Sequence, residues 1–307
     1  MIRRCLNNIA VVLAFLMFDF GLQAQVLPSL LLNQDPASLA MGSSGVASQA
    51  GAYALENNVA AIPFATETMA VNAGYAMWQP SYANLKTLGL GAIYRVSDKI
   101  GFGLDVKYLK MPKYSGITGS GSDIRDSEFS PSEMGLAAGF SYAFHSYISA
   151  GATLRFSSSS LAPEASAAVL GADLGLYFKK DAVSAGLSLN NIGTKVKYSE
   201  AAYAQPMLVK LGAGYEMLMG ESQIFCTAEA DVLFAGGFMA GIGCEYAFKD
   251  MAFARLGYHY GNHVNAVPSY GSAGLGFKMA GASLDLTYLY GSKVLANTLC
   301  LSLGYCF

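Results

Sequence analysis

The last ten residues of the chain constrain it most. Leu299, Leu301, Leu303, Tyr305 and Phe307 alternate with Thr298, Cys300, Ser302, Gly304 and Cys306. A period of two puts the large apolar side chains on one face of a strand and the small or polar ones on the other. The same rule runs back through the sequence. Ala282, Leu284, Leu286, Tyr288 and Tyr290 oppose Ser283, Asp285 and Thr287, and Ile100, Phe102, Leu104, Val106 and Tyr108 oppose Gly101, Gly103, Asp105 and Lys107. One such strand would also suit a soluble sandwich, with its apolar inner face and wet outer face; a dozen in succession are not readily explained by one.

Fourteen such segments are predicted, at 67–78, 84–96, 99–109, 132–144, 147–157, 168–179, 182–190, 207–217, 222–233, 237–248, 251–260, 269–279, 281–290 and 296–307. Strands of about eleven residues, at about 3.3 Å each and roughly 45° of tilt, match the apolar band of an outer membrane. The links alternate in length. Tight turns are expected at Ser97-Asp98, His145-Ser146, Lys180-Asp181, Met219-Gly220, Lys249-Asp250 and Ala280-Gly281, and longer links at 110–131, 158–167, 191–206 and 261–268. Short periplasmic turns and longer outer loops are the habit of membrane barrels. The link at 234–236 is short for an outer loop.

Composition agrees. Charged residues make up 13% and the mean hydropathy is +0.35, against about 25% charged in soluble domains. A formal net charge of −2 offers no basic surface for nucleic acid. Arg3 and Arg4 precede a short apolar run, Ile9 to Phe18, and Ala24 supplies the small residue before a cleavage point. Residues 1–24 therefore read as a signal peptide, 25–66 as a plug or periplasmic segment, and 67–307 as the barrel. No later run approaches the roughly 20 apolar residues of a spanning helix, and a closed barrel is the other structure that satisfies its backbone in lipid. The fold class is all-β: a transmembrane antiparallel barrel of about fourteen strands in the outer membrane of a Gram-negative cell, with lipid and the barrel-assembly machinery as partners. Phe307, a terminal aromatic, reads as the assembly signal.

Thirteen charges fall on the inward parity: Arg95, Asp105, Lys107, Arg155, Asp173, Lys210, Glu216, Glu229, Asp231, Glu245, Arg255, Lys278 and Asp285. Their mixed signs point to cross-bracing of the wall and of the segment before it, rather than to an ion-selective pore. Segment 25–66 is rich in Gly and Ala and does not alternate, and a plug in the lumen is preferred to a tail. No catalytic set, cofactor site or metal site emerges, and His145, His259 and His263 are not grouped with other ligands. Gly101/Gly103 and Gly274/Gly276 lie inside strands, where small lumen-facing residues explain them better than a phosphate loop. Cys226 and Cys244 face lipid on neighbouring strands, where apolar filler is preferred to a cross-strand pair. Cys300 and Cys306 are too far apart on one strand to bond. Tyr198 and Tyr203, in the 191–206 loop, are candidates for touching a partner protein.

Two passages carry a resemblance. Asp35-Pro36-Ala37-Ser38-Leu39-Ala40-Met41-Gly42-Ser43-Ser44-Gly45-Val46-Ala47, followed by Asn58-Val59-Ala60-Ala61, resembles the N-terminal signature of FadL-like barrels, specifically of the PorV/PorQ family of the Bacteroidota. Leu187-Ser188-Leu189-Asn190-Asn191-Ile192-Gly193, then Pro206 and Leu211-Gly212-Ala213-Gly214-Tyr215, is similar to a second passage of that family. The chain has Ala37 where the family usually has Arg, and Val59 where it usually has Pro. The resemblance implies fourteen strands and an N-terminal plug marked by Asp35, Met41, Gly42, Gly45 and Asn58. It also implies a non-catalytic role in type IX protein secretion, taking cargo from the translocon to the attachment proteins. The alternative is a FadL-like transporter of hydrophobic small molecules, which predicts an apolar pocket and a lateral opening.

Overall fold

The computed structural model describes residues 27–80, 84–118, 125–162, 165–198, 201–262, 266–292 and 294–307. The expected signal peptide and His263 lie outside them. Among the described residues eighteen strands form: β1 (Met69–Trp78), β2 (Leu85–Arg95), β3 (Ile100–Lys110), β4 (Tyr114–Thr118), β5 (Arg125–Phe129), β6 (Ser132–His145), β7 (Ile148–Ala162), β8 (Ala165–Lys180), β9 (Val183–Gly193), β10 (Val196–Tyr198), β11 (Ala201–Tyr203), β12 (Leu208–Met219), β13 (Ser222–Leu233), β14 (Phe238–Phe248), β15 (Ala252–Gly261), β16 (Tyr270–Met279), β17 (Ala282–Tyr290) and β18 (Thr298–Cys306).

Fourteen of them close into one antiparallel barrel. β4–β5 and β10–β11 are separate hairpins. Sequential neighbours pair throughout, and β1 meets β18 to close the wall. Phe307 extends the seam: its amide donates to Met69 O at 2.8 Å and its carbonyl accepts from Thr68 N at 3.2 Å. Closure leaves no strand edge with open backbone groups. Outward positions carry the large apolar side chains, with Leu154 at 72% exposure, and the inward ones are small, polar or charged. Such a girdle is what an outer-membrane barrel presents to lipid.

Both ends of the barrel chain, at Met69 and Cys306, lie at the end where the tight turns lie. This is the turn end, and the opposite one is the loop end. Left-handed backbone serves the tight turns at Asp181 (φ 51°), Lys249 (φ 54°) and Gly220 (φ 62°).

Three links differ from the sequence expectation. The 158–167 link contracts, because β7 runs to Ala162 and β8 starts at Ala165. Ser157–Ser160 contain no breaker and keep the period of two, so pairing continues through them. The 110–131 link contains the β4–β5 hairpin. In the 191–206 link β9 extends to Gly193 and a second hairpin follows. No helix among the described residues is long and apolar enough to cross a membrane.

Candidate functional site

Residues 27–66 lie against the inner wall. They form four short helical pieces, Pro28–Leu30, Pro36–Ala40, Ala54–Asn57 and Val59–Phe64. Asp35 caps the second, accepting from Ala37 N at 3.1 Å, with Pro36 at the first position, where its missing N–H costs nothing. Gly42 follows with φ +71°, the left-handed residue that ends such a turn. Asn58 caps the last piece through Ala60 N at 3.1 Å. Its amide also donates to Val46 O at 3.1 Å and to Leu176 O of β8 at 2.9 Å. The replacement of Pro by Val59 leaves this cap intact.

The wall glycines explain how the segment fits. A Cβ on Gly243 would lie 2.5 Å from Met41 Cα, one on Gly257 2.7 Å from the same atom, and one on Gly91 2.6 Å from Ala52 O. Gly103 would strike Leu55, Gly151 would strike Val59, and Gly186 would strike Val46 O. At Gly91, Gly186, Gly243 and Gly257 two backbones thus meet, whereas Gly101, Gly103 and Gly274 make room for the side chains of Ile62, Leu55 and Ala40. Gly45 serves the same purpose inside the segment, against the Asn57 side chain, which in turn donates to Asp35 Oδ2 at 2.8 Å.

Charges then fix the register of segment and wall. Glu56 Oε2 is 2.7 Å from Lys107 Nζ on β3, and Glu56 Oε1 is 3.7 Å from Arg155 on β7. Lys107 also donates to Leu32 O at 2.8 Å and Ser29 O at 3.2 Å. Arg155 donates to Leu55 O at 2.6 Å and to Asp173 Oδ2 at 2.5 Å. Asp105 accepts from Gln34 Nε2 at 2.6 Å, and Glu229 accepts from Val46 N at 2.7 Å. Buried charges persist only when paired and hydrogen-bonded in this way. Burial opposes ionisation of Glu56, but Lys107 and Arg155 outweigh it and hold its pKa below the usual carboxylate value. Asp35 is pushed up to about 6 by burial, partly offset by its bond from Asn57.

The remaining inward charges form smaller groups. Lys210 is 3.7 Å from Glu229, with Asp231 beside them in the wall. Arg255 joins Glu245 at 2.5 Å to Asp285 at 2.6 Å. At the turn end Lys278 meets Glu67 at 2.5 Å, Glu216 meets Lys179 at 3.8 Å, and Arg95 meets Asp98 at 2.7 Å. The sequence reading missed two members. Glu133 is buried on the inward parity of β6 and accepts from Ser29 N at 3.1 Å. Alternation with Met134 and Leu136 could have found it. Glu56 carried no such signal, since its segment does not alternate.

Three consecutive leucines close the loop end. Leu30 packs with Val169, Val196 and Tyr198, Leu31 with Leu208, Leu233 and Met239, and Leu32 with Leu39, Trp78 and Leu295. This placement corrects the reading of Tyr198. Its ring belongs to an apolar cluster with Val196 and Leu27 rather than to a free rim, because the β10–β11 hairpin folds inward. Tyr203 is half-buried beside it, 6.4 Å between ring centroids. His259 is buried, with Nδ1 3.2 Å from Gly42 O and its ring stacked 4.8 Å from Tyr270, and His145 is exposed at a turn. No group of three or more His, Cys, Asp or Glu among the described residues is placed to hold a metal.

The preference for apolar filler at Cys226 and Cys244 is also corrected. They stand directly opposite each other on β13 and β14 and form a disulfide, with Cα atoms 4.2 Å apart. Close antiparallel pairs bring Cα atoms to about 4.5 Å, within disulfide reach.

Cavities remain beside the segment among the described residues. One of about 50 Å³ sits beneath Leu30–Leu32 and is lined by Lys210, Asp231 and His259 among others. Another, of about 260 Å³, lies at the turn end between Asp35, Gln49, Lys179, Arg255 and Lys278.

The family described as "Type IX secretion system protein PorV" matches residues 22–236. The chain belongs to the PorV family. Its fold is that of FadL-like barrels. It is similar to the toluene transporter TbuX of Ralstonia pickettii, at 12% identity and a TM-score of 0.65 over 90% of this chain and 99% of that one. It is equally similar to the toluene transporter TodX of P. putida, at 15% identity and a TM-score of 0.65 over the same shares. A FadL homologue from Pseudomonas aeruginosa gives 13% identity and a TM-score of 0.57 over 89% and 98%. At such identities these likenesses show the fold alone. No curated protein matches the chain. Family and fold together place this PorV-family barrel in the outer membrane.

Proposed function

We propose that this barrel acts in type IX protein secretion as a non-catalytic carrier, taking cargo from the translocon to the attachment machinery. The family match over residues 22–236 carries the reading. The segment 27–66 acts as a plug, and the turn end faces the periplasm, as short turns do in such barrels. With the plug ion-paired to β3 and β7 through Glu56, the working surface is the loop end and its two hairpins. The inward charges brace the wall and plug, and Phe307 marks the chain for barrel assembly.

A carrier of small hydrophobic molecules would need an apolar passage past the plug. The cavity beneath Leu30–Leu32 is about 50 Å³ and lined by Glu56, Lys107, Arg155 and Asp231, a poor path for an apolar solute. The secretion reading is therefore preferred. The test is purification from native outer membrane in mild detergent, with mass spectrometry of what accompanies the barrel. Secretion subunits, or exported proteins sharing a C-terminal domain, are expected. A barrel recovered alone with a bound apolar molecule would overturn the reading.

A further inference from the structure

The outward face changes character at the loop end of β2, β3, β6, β7 and β8. The pairing aligns Lys86 with Lys110, Lys110 with Ser132, Ser132 with Ser160, and Ser160 with Ser166. All five sit on the outward parity, so two ammonium groups and three hydroxyls form one row across five neighbouring strands. At the loop ends of β14, β15 and β17 the exposed positions are instead Phe238, Tyr260 and Tyr290, the aromatic girdle expected of such a wall.

Lys86 and Lys110 stand directly opposite each other. Like charges in that position repel, and among the described residues neither has an acidic partner, whereas nearby Lys113 is paired with Glu128 at 2.8 Å. The two tiers beneath are mostly apolar. Leu88, Tyr108 and Met134 align in the first, and Leu90, Val106, Leu136, Phe156 and Leu170 in the second. A surface groove of about 420 Å³ runs beside the serines, lined by Ser132, Met134, Ser158, Ser160, Ser166 and Ala168.

We propose that this row binds a phosphorylated glycolipid of the outer leaflet. The lysine pair holds the headgroup phosphate, Ser132, Ser160 and Ser166 hydrogen-bond the sugar, and the acyl chains lie on the two tiers below. Charge complementarity selects this occupant: an unneutralised cation pair at the polar edge of an apolar wall matches an anion that carries its own hydrocarbon. The site rests on the loop end facing outward, but not on any role in secretion.

Purified barrel in detergent is titrated with bisphosphorylated lipid A and read by native mass spectrometry. Folding of every variant is checked by the mobility difference of boiled and unboiled samples on a gel. Lys86→Gln/Lys110→Gln is expected to bind about tenfold more weakly than wild type, and Lys86→Arg/Lys110→Arg to retain binding. Lipid A stripped of phosphate binds wild type as weakly as it binds the Gln variant. Lys99→Gln/Lys180→Gln, with the same charge change at the turn end, binds like wild type. Equal binding by the Lys86/Lys110 Gln variant, or an equal loss in the turn-end control, overturns the proposal. Displacement by millimolar inorganic phosphate overturns the lipid as the source of the anion. If the double Gln variant does not fold, single Lys86→Gln and Lys110→Gln variants give the same reading.

Discussion

Glu56 and Lys107 form an ion pair with their side chains only 6% and 8% exposed, 2.7 Å apart, and this pair joins the N-terminal segment to the wall. Removing one partner of a buried pair strands the other charge and costs about 3–5 kcal/mol. Lys107→Met is therefore expected to free residues 27–66 from the wall while the barrel remains closed. Limited proteolysis of the folded protein should cut within 27–66 at least tenfold faster than in wild type. Glu56→Gln/Lys107→Met should lose less than the sum of the two single changes, since with both groups neutral neither charge of the pair is left stranded. Unchanged cleavage in Lys107→Met would mean that Arg155 alone suffices to hold the segment.

The wall glycines give a steric test of the same contact. Gly257 faces the backbone of Met41 and Gly42, and a side chain there cannot be admitted by rotating a flexible neighbour. Gly257→Val should displace the segment and raise its protease sensitivity, with the heat-shifted gel mobility of a folded barrel retained. Gly51→Val, where the added Cβ meets nothing within 4 Å, is the matched control and should behave as wild type. Equal behaviour of the two variants would remove the steric argument.

The disulfide offers a covalent test of register. Cys226 and Cys244 are 18 residues apart in sequence, and closing a loop of that length stabilises the native state by about 3 kcal/mol through the unfolded chain. Non-reducing digestion should yield one linked peptide containing both. Cys226→Ser/Cys244→Ser should still fold, at a lower gel heat-shift temperature. Alkylation of both thiols in the unreduced, unfolded protein would contradict the pairing.

Much of this architecture is written in the sequence, for a local reason. A strand's two faces alternate residue by residue, so the wall and its inward charges can be read without knowing any neighbour. Relationships across strands are less accessible. Alternation places Cys226 and Cys244 on one face, but a slip of two residues would preserve that face and separate the sulfurs; the short link at 234–237 fixes the register that joins them. Segment 27–66 is the extreme case. Its fit depends on glycines spread over β2 to β16, and no local pattern announces that Leu30, Leu31 and Leu32 enter three different apolar clusters. The packing of Tyr198 is hidden for the same reason, because an aromatic in a loop gives no sign that its hairpin folds inward onto Leu27.

Asp35 makes the hold of the segment depend on pH, and the sign follows from its raised pKa. The group titrates near 6 in the folded chain and near its ordinary value of 3.8 when unfolded. Between those values the folded state binds the proton and the unfolded state does not, so the contribution of Asp35 to stability falls as pH rises from about 4 to about 6 and is flat above. Wild-type residues 27–66 should therefore exchange amide hydrogens more slowly at pH 5 than at pH 7, after correction for the intrinsic exchange rate. Asp35→Asn keeps a capping side chain of equal quality and cannot ionise, so this pH difference should disappear while the helix Pro36–Ala40 persists. Asp35→Ala loses the cap as well, at a cost of about 1 kcal/mol, and should loosen the segment at both pH values. If Asp35→Asn keeps the full pH difference, the dependence belongs to another carboxylate of the lumen and Asp35 serves only as the cap.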